Sequence, residues 1–126
     1  MKFMFTIYHD QNVLDAMPEK EMQALVDSAI EYAEELRQSG HFIASDALQR
    51  TGTARTIRVR AGKVSTAVGP YVETKEQLGG FFLIEAKDMD EACAVAARFP
   101  PARVAVLEVR PVQKLTHSQD RRGLPN

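Results

Sequence analysis

The side chains best suited to acid–base chemistry near the start of the chain are consecutive: Tyr8, His9 and Asp10. An imidazole titrates near neutral pH and a phenol can donate a proton, so Tyr8 and His9 are candidate acid or base groups. The alternative is structural, because the end of a strand that enters a solvated loop accounts for the same residues without any chemistry.

A second candidate pair, Glu108 and Arg110, lies near the other end of the folded region. The two residues are two positions apart on a predicted strand, so their side chains share one face of the sheet. They are candidate ligand-binding residues, because together they could orient a ligand carboxylate or carbonyl. An ion pair between two subunits explains them equally well.

Several kinds of site are not expected. The three histidines are not at metal-ligand spacing, and the glycines match neither a Walker loop nor a dinucleotide fingerprint, so we predict no metal and no cofactor. No serine lies in a nucleophile-elbow context. Cys93, the only cysteine, excludes an internal disulfide and is interpreted as a small buried core residue.

The charge balance argues against two classes of binding partner. Sixteen basic against seventeen acidic residues give a net charge of -1, so neither nucleic acid nor an anionic membrane is an expected partner. The basic cluster Arg55, Arg58, Arg60 and Lys63 is interpreted as an exposed edge kept soluble by charge. No apolar stretch reaches the roughly 20 residues of a membrane span. With no signal-peptide core at the N-terminus, we expect a cytoplasmic protein.

These side chains must be positioned by a mixed set of helices and strands. Strands are predicted over 2–8, 41–49, 55–60, 63–68, 81–84 and 103–109, from alternating apolar residues in segments such as 2–8 and from four consecutive apolar residues at 81–84. A row of apolar residues (Met22, Leu25, Val26, Ala29, Ile30, Ala33 and Leu36) predicts a long helix that begins near Pro18 and ends before Gly40. Asp88 and Glu91 form a capping box for a second helix, which ends at Pro100.

The order of these elements is that of an α+β, ferredoxin-like βαββαβ unit with an extended central hairpin and both helices on one face of an antiparallel sheet. Residues 1–115 would form a single domain, and residues 116–126 a polar, mobile tail. Residues 69–78 form the longest loop inside the fold, and loops carry function more often than the scaffold does.

The run Phe81, Phe82, Leu83 and Ile84 leaves neither face of its strand polar. The helices can cover only one face, and the other would expose a large apolar patch together with Met4, Tyr8, Val104 and Val106. We therefore expect a homodimer whose sheets face each other, as a dimeric α+β barrel, with room for a small molecule in or beside the interior.

The segment from Val68 through Gly69-Pro70-Tyr71 to Ile84, followed by Asp88, Asp90, Glu91 and Ala92 and by residues 109–112, resembles the DGPF group of the YCII-related family. This resemblance implies a dimeric α+β barrel in a family that mostly lacks an established activity. By the motif, the loop supplies candidate ligand-binding residues, Tyr71, Glu73, Thr74 and Lys75, with Glu73 also a candidate acid or base. A loop that only packs against a partner is the structural alternative.

The chain departs from the family pattern in two places. The leading Asp of the motif is Val68 and its Phe is Tyr71. The His in the first helix and the Asp after the second, which are suspected catalytic residues in the wider family, are absent, and Phe99-Pro100 stands near the latter position. DGPF proteins are often encoded beside extracytoplasmic-function sigma factors, so the resemblance also implies a regulatory setting.

Three functions follow from these observations. The first is a small dimeric protein that binds an unidentified small molecule in the dimer interior or at loop 69–78. The second is an isomerase- or lyase-type enzyme that uses Tyr8, His9 or Glu73 as an acid or base at the barrel margin. The third is a protein-binding role in sigma-factor regulation. Whether the chain is an enzyme stays open at this point.

Overall fold

A computed structural model describes residues 1–119 of the chain. Its strands are β1 (Lys2–His9), β2 (Phe42–Ala47), β3 (Arg55–Arg60), β4 (Lys63–Val68), β5 (Gln77–Glu85) and β6 (Val106–Pro111). Its α-helices are α1 (Gln11–Asp15), α2 (Glu19–Gln38) and α3 (Met89–Ala97), and 3₁₀ turns span Thr51–Thr53 and Pro100–Val104. Most of the predicted tail, residues 120–126, lies outside the described residues.

Four strands form one antiparallel sheet in the order β2-β5-β1-β6, and β3 pairs with β4 in a separate two-stranded hairpin. Without the inserted hairpin this is the ferredoxin-like arrangement, in which the first and third strands occupy the centre. The α+β fold expected from the sequence is therefore confirmed. The predicted bounds of β3 and β4 also agree with the structure.

The hydrophobic core lies between the sheet and the helices α2 and α3. Phe3, Phe5 and Ile84 are almost completely buried, because alternate residues of β1 and β5 point toward the helices. Phe5 stacks on Phe82 at 4.9 Å between ring centroids, and Phe99 closes this aromatic cluster. Within residues 1–119, no helix covers the other face of the sheet, and Phe81 and Leu83 are half-buried there.

Helix α2 buries a face that differs from the predicted one. Tyr32, which the periodic pattern omitted, is 5% exposed and donates a hydrogen bond to the Val95 carbonyl. Ile30, which was expected in the core, is 64% exposed, and Val26 is 43% exposed. The helix is rotated so that Leu25, Tyr32 and Leu36 meet the sheet, which leaves one edge of its apolar stripe uncovered.

Three further expectations need correction. Cys93 is exposed rather than buried, because it lies on the outer side of α3. The loop after β1 contains the helix α1, whose first turn is capped by the Asp10 carboxylate at 2.9 Å from the Asn12 nitrogen. The last strand begins at Val106, since residues 100–104 form a 3₁₀ turn, and Val104 is therefore not part of the open sheet face.

Within residues 1–119, no helix has the length and apolar content that crossing a membrane would require.

Candidate functional site

A cleft of about 730 Å³ lies between helix α2 and the sheet. One wall is the uncovered edge of α2, where Met22, Val26 and Ile30 follow one another at four-residue steps. The opposite wall is formed by the end of β2 and the start of β5. Most of the lining is apolar, so the cleft is suited to an organic molecule that is itself largely apolar.

His9 borders this cleft at the end of β1, on the same face of the sheet as Ile7. The pairing of β1 with β5 skips Gly79, since Ile7 lies opposite Gly80 and Tyr8 lies opposite Leu78. A Cβ atom on Gly79 would lie 1.9 Å from His9 Nε2. The imidazole therefore rests against the glycine backbone, and this position accepts no side chain while the ring stays in place.

The surroundings of His9 favour its neutral form. Burial lowers the pKa of His9 below its ordinary value of 6.5, and the positive charge of Arg50 lowers it further. Arg50 is fixed at the mouth of the cleft by an ion pair with Asp15 at 2.9 Å. At neutral pH the imidazole can thus accept a proton or a hydrogen bond from a bound molecule.

A second polar contact holds the same mouth of the cleft. The amide of Gln11 donates a hydrogen bond to Thr51 Oγ1 at 2.9 Å, which joins the start of α1 to the 3₁₀ turn before β3. Gln11 also lines the cleft, as do Asp46 and Gln77 from β2 and β5. The floor therefore offers a few polar groups around His9, while the α2 wall is apolar.

The other predicted site residues lie elsewhere. Tyr8 points to the open face of the sheet, opposite Leu78 and Val106, and does not line the cleft. Glu73, Thr74 and Lys75 are exposed in loop 69–78. Of the three candidate acid or base groups, only His9 borders this cavity. The catalytic and ligand-binding roles of all these residues stay predictions.

The loop between β4 and β5 ends at Glu76 rather than at residue 78, because β5 begins at Gln77, and it is held by contacts of its own. The Gln77 amide donates hydrogen bonds to the carbonyls of Val72 and Thr74, at 2.7 and 2.9 Å, and Thr74 Oγ1 donates to the Glu76 carbonyl at 2.6 Å. Tyr71 is 70% exposed, and the Arg58 guanidinium lies 5.0 Å from the centre of its ring. The loop therefore contacts the base of the hairpin, and a shallower depression of about 440 Å³ lies there.

Glu108 and Arg110 form an ion pair of 3.2 Å within the chain, on the open face of the sheet. Both side chains are largely exposed, so the pair contributes little to stability. They share this face with Tyr8 but not with His9, because residues of β1 alternate between the two faces. The structure thus brings together two predicted residues that are separate from the cleft.

Arg50 and the apolar row of α2 were not identified from the sequence as parts of a binding site, and the row was expected in the core. Val26 and Ile30 carried a signal, since the apolar stripe that contains them is wider than the core contact of one helix requires. Arg50 carried none, because its approach to His9 depends on the path of the chain between β2 and β3. Among residues 1–119, no group of three metal-binding side chains converges.

A family model for the YCII-related domain matches residues 1–116. An uncharacterized protein of Rhizobium meliloti (strain 1021) is 31% identical over 114 residues, which is 89% of this chain and 92% of that relative. A solved structure of 5-chloro-2-hydroxyhydroquinone dehydrochlorinase from Burkholderia phenoliruptrix AC1100, in complex with 2,5-dihydroxybenzoquinone, superposes with a TM-score of 0.49 at 15% identity. That alignment covers 91% of this chain and 96% of the dehydrochlorinase, and it does not bear on what this chain binds.

Proposed function

Because the chain belongs to the YCII-related family, whose matched relative is itself uncharacterized, we propose a function from the geometry of the cleft. The protein binds a small, largely apolar organic molecule between α2 and the sheet, with a polar group of that molecule at His9. One observation carries this proposal: a mostly apolar cleft of about 730 Å³ with a half-buried imidazole at its floor.

The size and lining of the cleft support a ligand of this kind. Small-molecule sites generally enclose about 300–1,000 Å³ and combine an apolar wall with a few polar groups that fix orientation. Burial of the ligand against Val26 and Ile30 would supply most of the affinity through the hydrophobic effect. The neutral His9 would accept a hydrogen bond from a phenol or donate one to a carboxylate, and the charge of Arg50 favours an anion nearby.

Filling the cleft tests the proposal. Ala29 lines the cleft, whereas Ala24 lies on the same helix, is exposed and does not line it. We expect Ala29→Phe to weaken the binding of a hydrophobic probe about tenfold or more, because the added ring occupies the ligand volume. The probes are anilinonaphthalene sulfonate, salicylate and octanoate, measured by fluorescence and by thermal shift.

Ala24→Phe is the matched control and should bind these probes like the unchanged protein. Equal binding by the Ala29→Phe variant, with both variants folded by circular dichroism, would contradict ligand binding in this cleft.

Catalysis by His9 is the second candidate function, and the lowered pKa of His9 favours it. A neutral imidazole next to an apolar site can remove a proton from a bound carbon acid, which is the first step of many isomerase and lyase reactions. Such an enzyme would exchange deuterium from solvent into its ligand faster than a His9→Gln variant does, as followed by proton NMR. Equal exchange with both proteins, for ketones with hydrogens next to the carbonyl that bind in the cleft, would exclude this role for His9.

We also propose that the protein is a homodimer whose open sheet faces meet. Met4, Phe81 and Leu83 on that face are only partly covered within one chain, and Val106 is 51% exposed. The sigma-factor setting that the family resemblance implies stays a prediction. A pull-down with this protein that recovers no sigma factor would count against it.

A further inference from the structure

The β3–β4 hairpin stands apart from the rest of the structure. Every residue of β4 and five of the six residues of β3 are exposed, and neither strand pairs with the main sheet. A two-stranded hairpin is marginally stable in water when nothing packs on it. The hairpin therefore gains stability from any surface that covers it.

The register of the hairpin separates its residues into two faces. Ile57 lies opposite Thr66, and Val59 lies opposite Val64, so their side chains share one face. The apolar residues of this face are 55–74% exposed: Ile57, Val59, Val64 and Val68. The opposite face carries Arg58, Arg60 and Lys63. The hairpin is thus a ribbon with one mostly apolar side, on which Arg55 lies opposite Val68, and one basic side.

Helix α2 offers the complementary surface. Val26 and Ile30 are exposed on adjacent turns, and Asp27, Glu31 and Glu34 flank them on the outer side of the helix. Along its length α2 has six acidic residues against two basic ones, whereas residues 55–68 contain four basic residues and no acidic one. Both the apolar content and the opposite charges of the two surfaces match.

We propose that the hairpin of one chain docks on helix α2 of a second copy of the same chain. Within one chain the two apolar surfaces are exposed at the same time, since Ile57 and Ile30 are each 64% exposed, so they do not cover each other. A second copy covers both surfaces and can do so reciprocally about a twofold axis, in a contact separate from the one proposed for the open sheet face.

In this arrangement the apolar face of the hairpin lies over Val26 and Ile30. The ribbon is only two strands wide, so the long side chains of Arg58 and Arg60 reach past its edges to the carboxylates of α2. Because Val26 and Ile30 also line the cleft, the docked hairpin closes the open side of that cavity. The docking itself does not require a ligand in the cleft.

A disulfide formed only between different variants tests the contact. Cys93 is exposed and is first replaced by serine. One protein then carries Ile30→Cys and a second, isotopically labelled protein carries Val59→Cys. When the two are mixed and oxidised, we expect the mixed disulfide to exceed both self-disulfides about tenfold or more, because Ile30 and Val59 meet only across the interface.

Two controls make the result decisive. Val13→Cys, on α1 and 46% exposed, replaces Val59→Cys and should give no such excess. Reversal of charge by Arg58→Glu with Arg60→Glu should abolish the mixed disulfide, and pairing with Glu31→Lys and Glu34→Lys in the other protein should restore it.

A mixed disulfide no more abundant than the self-disulfides would overturn the proposal. So would binding of the hairpin to vesicles of phosphatidylserine and phosphatidylcholine without any mixed disulfide, which would identify a membrane surface as the partner. The mixed disulfide is measured without any probe, and probe binding is measured without oxidation, so failure of the ligand proposal and failure of the docking proposal are distinguishable.

Discussion

At the scale of single residues, the defining contact of the cleft is between His9 and Gly79. The imidazole lies against a position where a Cβ atom would come within 1.9 Å of its Nε2 atom. That placement buries part of the ring and keeps it near Arg50, and both effects lower the pKa of His9. Because Gly79 has no side chain, the His9 ring can occupy this place, where its pKa is lowered.

Gly79→Ala should displace the ring toward solvent and raise the pKa of His9 toward 6.5, because the added methyl group occupies its place. Binding of hydrophobic probes should weaken at the same time. Proton NMR titration of the histidine resonances measures the change. Gly52→Ala is the control, since a Cβ atom there meets nothing within 4 Å. An unchanged midpoint in Gly79→Ala would contradict this role of Gly79.

The same lowered pKa gives stability a pH dependence with a definite sign. Between the lowered folded value and 6.5 the unfolded chain binds the proton of His9 more readily, so stability falls as the pH falls through this window. We expect His9→Gln to lose less stability than the unchanged protein between about pH 7 and pH 5, as measured by urea unfolding. His117→Gln, an exposed histidine in the C-terminal segment, is the control. Parallel losses in all three proteins would contradict the effect.

At the scale of elements, the start of α3 is fixed by side chains that the sequence identified. The Asp88 carboxylate accepts a hydrogen bond from the Glu91 backbone nitrogen at 2.9 Å, and the Glu91 carboxylate accepts one from the Lys87 nitrogen at 3.2 Å. His41 also contacts Glu91, at 3.2 Å, which ties the end of α2 to the start of α3. The predicted capping box is therefore confirmed, with Lys87 rather than Asp88 as its second donor.

Asp88→Ala should lower the free energy of unfolding by about 1 kcal/mol, because the Glu91 amide at the start of α3 loses its ordered partner. Urea unfolding monitored by circular dichroism measures the loss. Asp90→Ala is a matched control, as it removes a carboxylate from the same helical turn without removing the cap. If the two variants lose equal stability, the effect comes from helix charge and not from capping.

The inserted hairpin was also predictable, because its turn chemistry is local. Ala61 and Gly62 both adopt positive φ angles, 50° and 74°, which is the geometry of a two-residue turn between twisted strands. Strand alternation then fixes which residues share a face. Neither property indicates where the hairpin lies relative to α2.

At the scale of the whole molecule, the described part of the chain covers one face of the sheet with helices and leaves the other face without them. Tyr8, Val106, Glu108 and Arg110 all belong to the uncovered face, so several of the predicted site residues are grouped there and not in the cleft. A subunit packed against this face would bury them together. The open face and the cleft are therefore separate surfaces, and ligand binding in the cleft and association through the open face are tested by different substitutions.

Val106→Asp should weaken self-association through the open face, since it puts a charge into the proposed contact. Multi-angle light scattering across a dilution series measures the shift in the dimer dissociation constant, and we expect about tenfold or more. Val13→Asp is the control, because Val13 is similarly exposed but lies on α1. A protein that stays monomeric without any substitution at micromolar concentration would contradict the homodimer.

Apart from the short helix α1 and the 3₁₀ turns, the sequence by itself determined the elements, their order and the ferredoxin-like fold, because turn chemistry, capping and apolar periodicity are properties of neighbouring residues. It did not determine which edge of the α2 stripe is buried, since that depends on how far the sheet extends beneath the helix. Tyr32 thus entered the core and Ile30 stayed outside it. The approach of Arg50 and Gly79 to His9 was likewise decided only by the tertiary structure, as these residues are distant in sequence and meet through strand pairing and loop path.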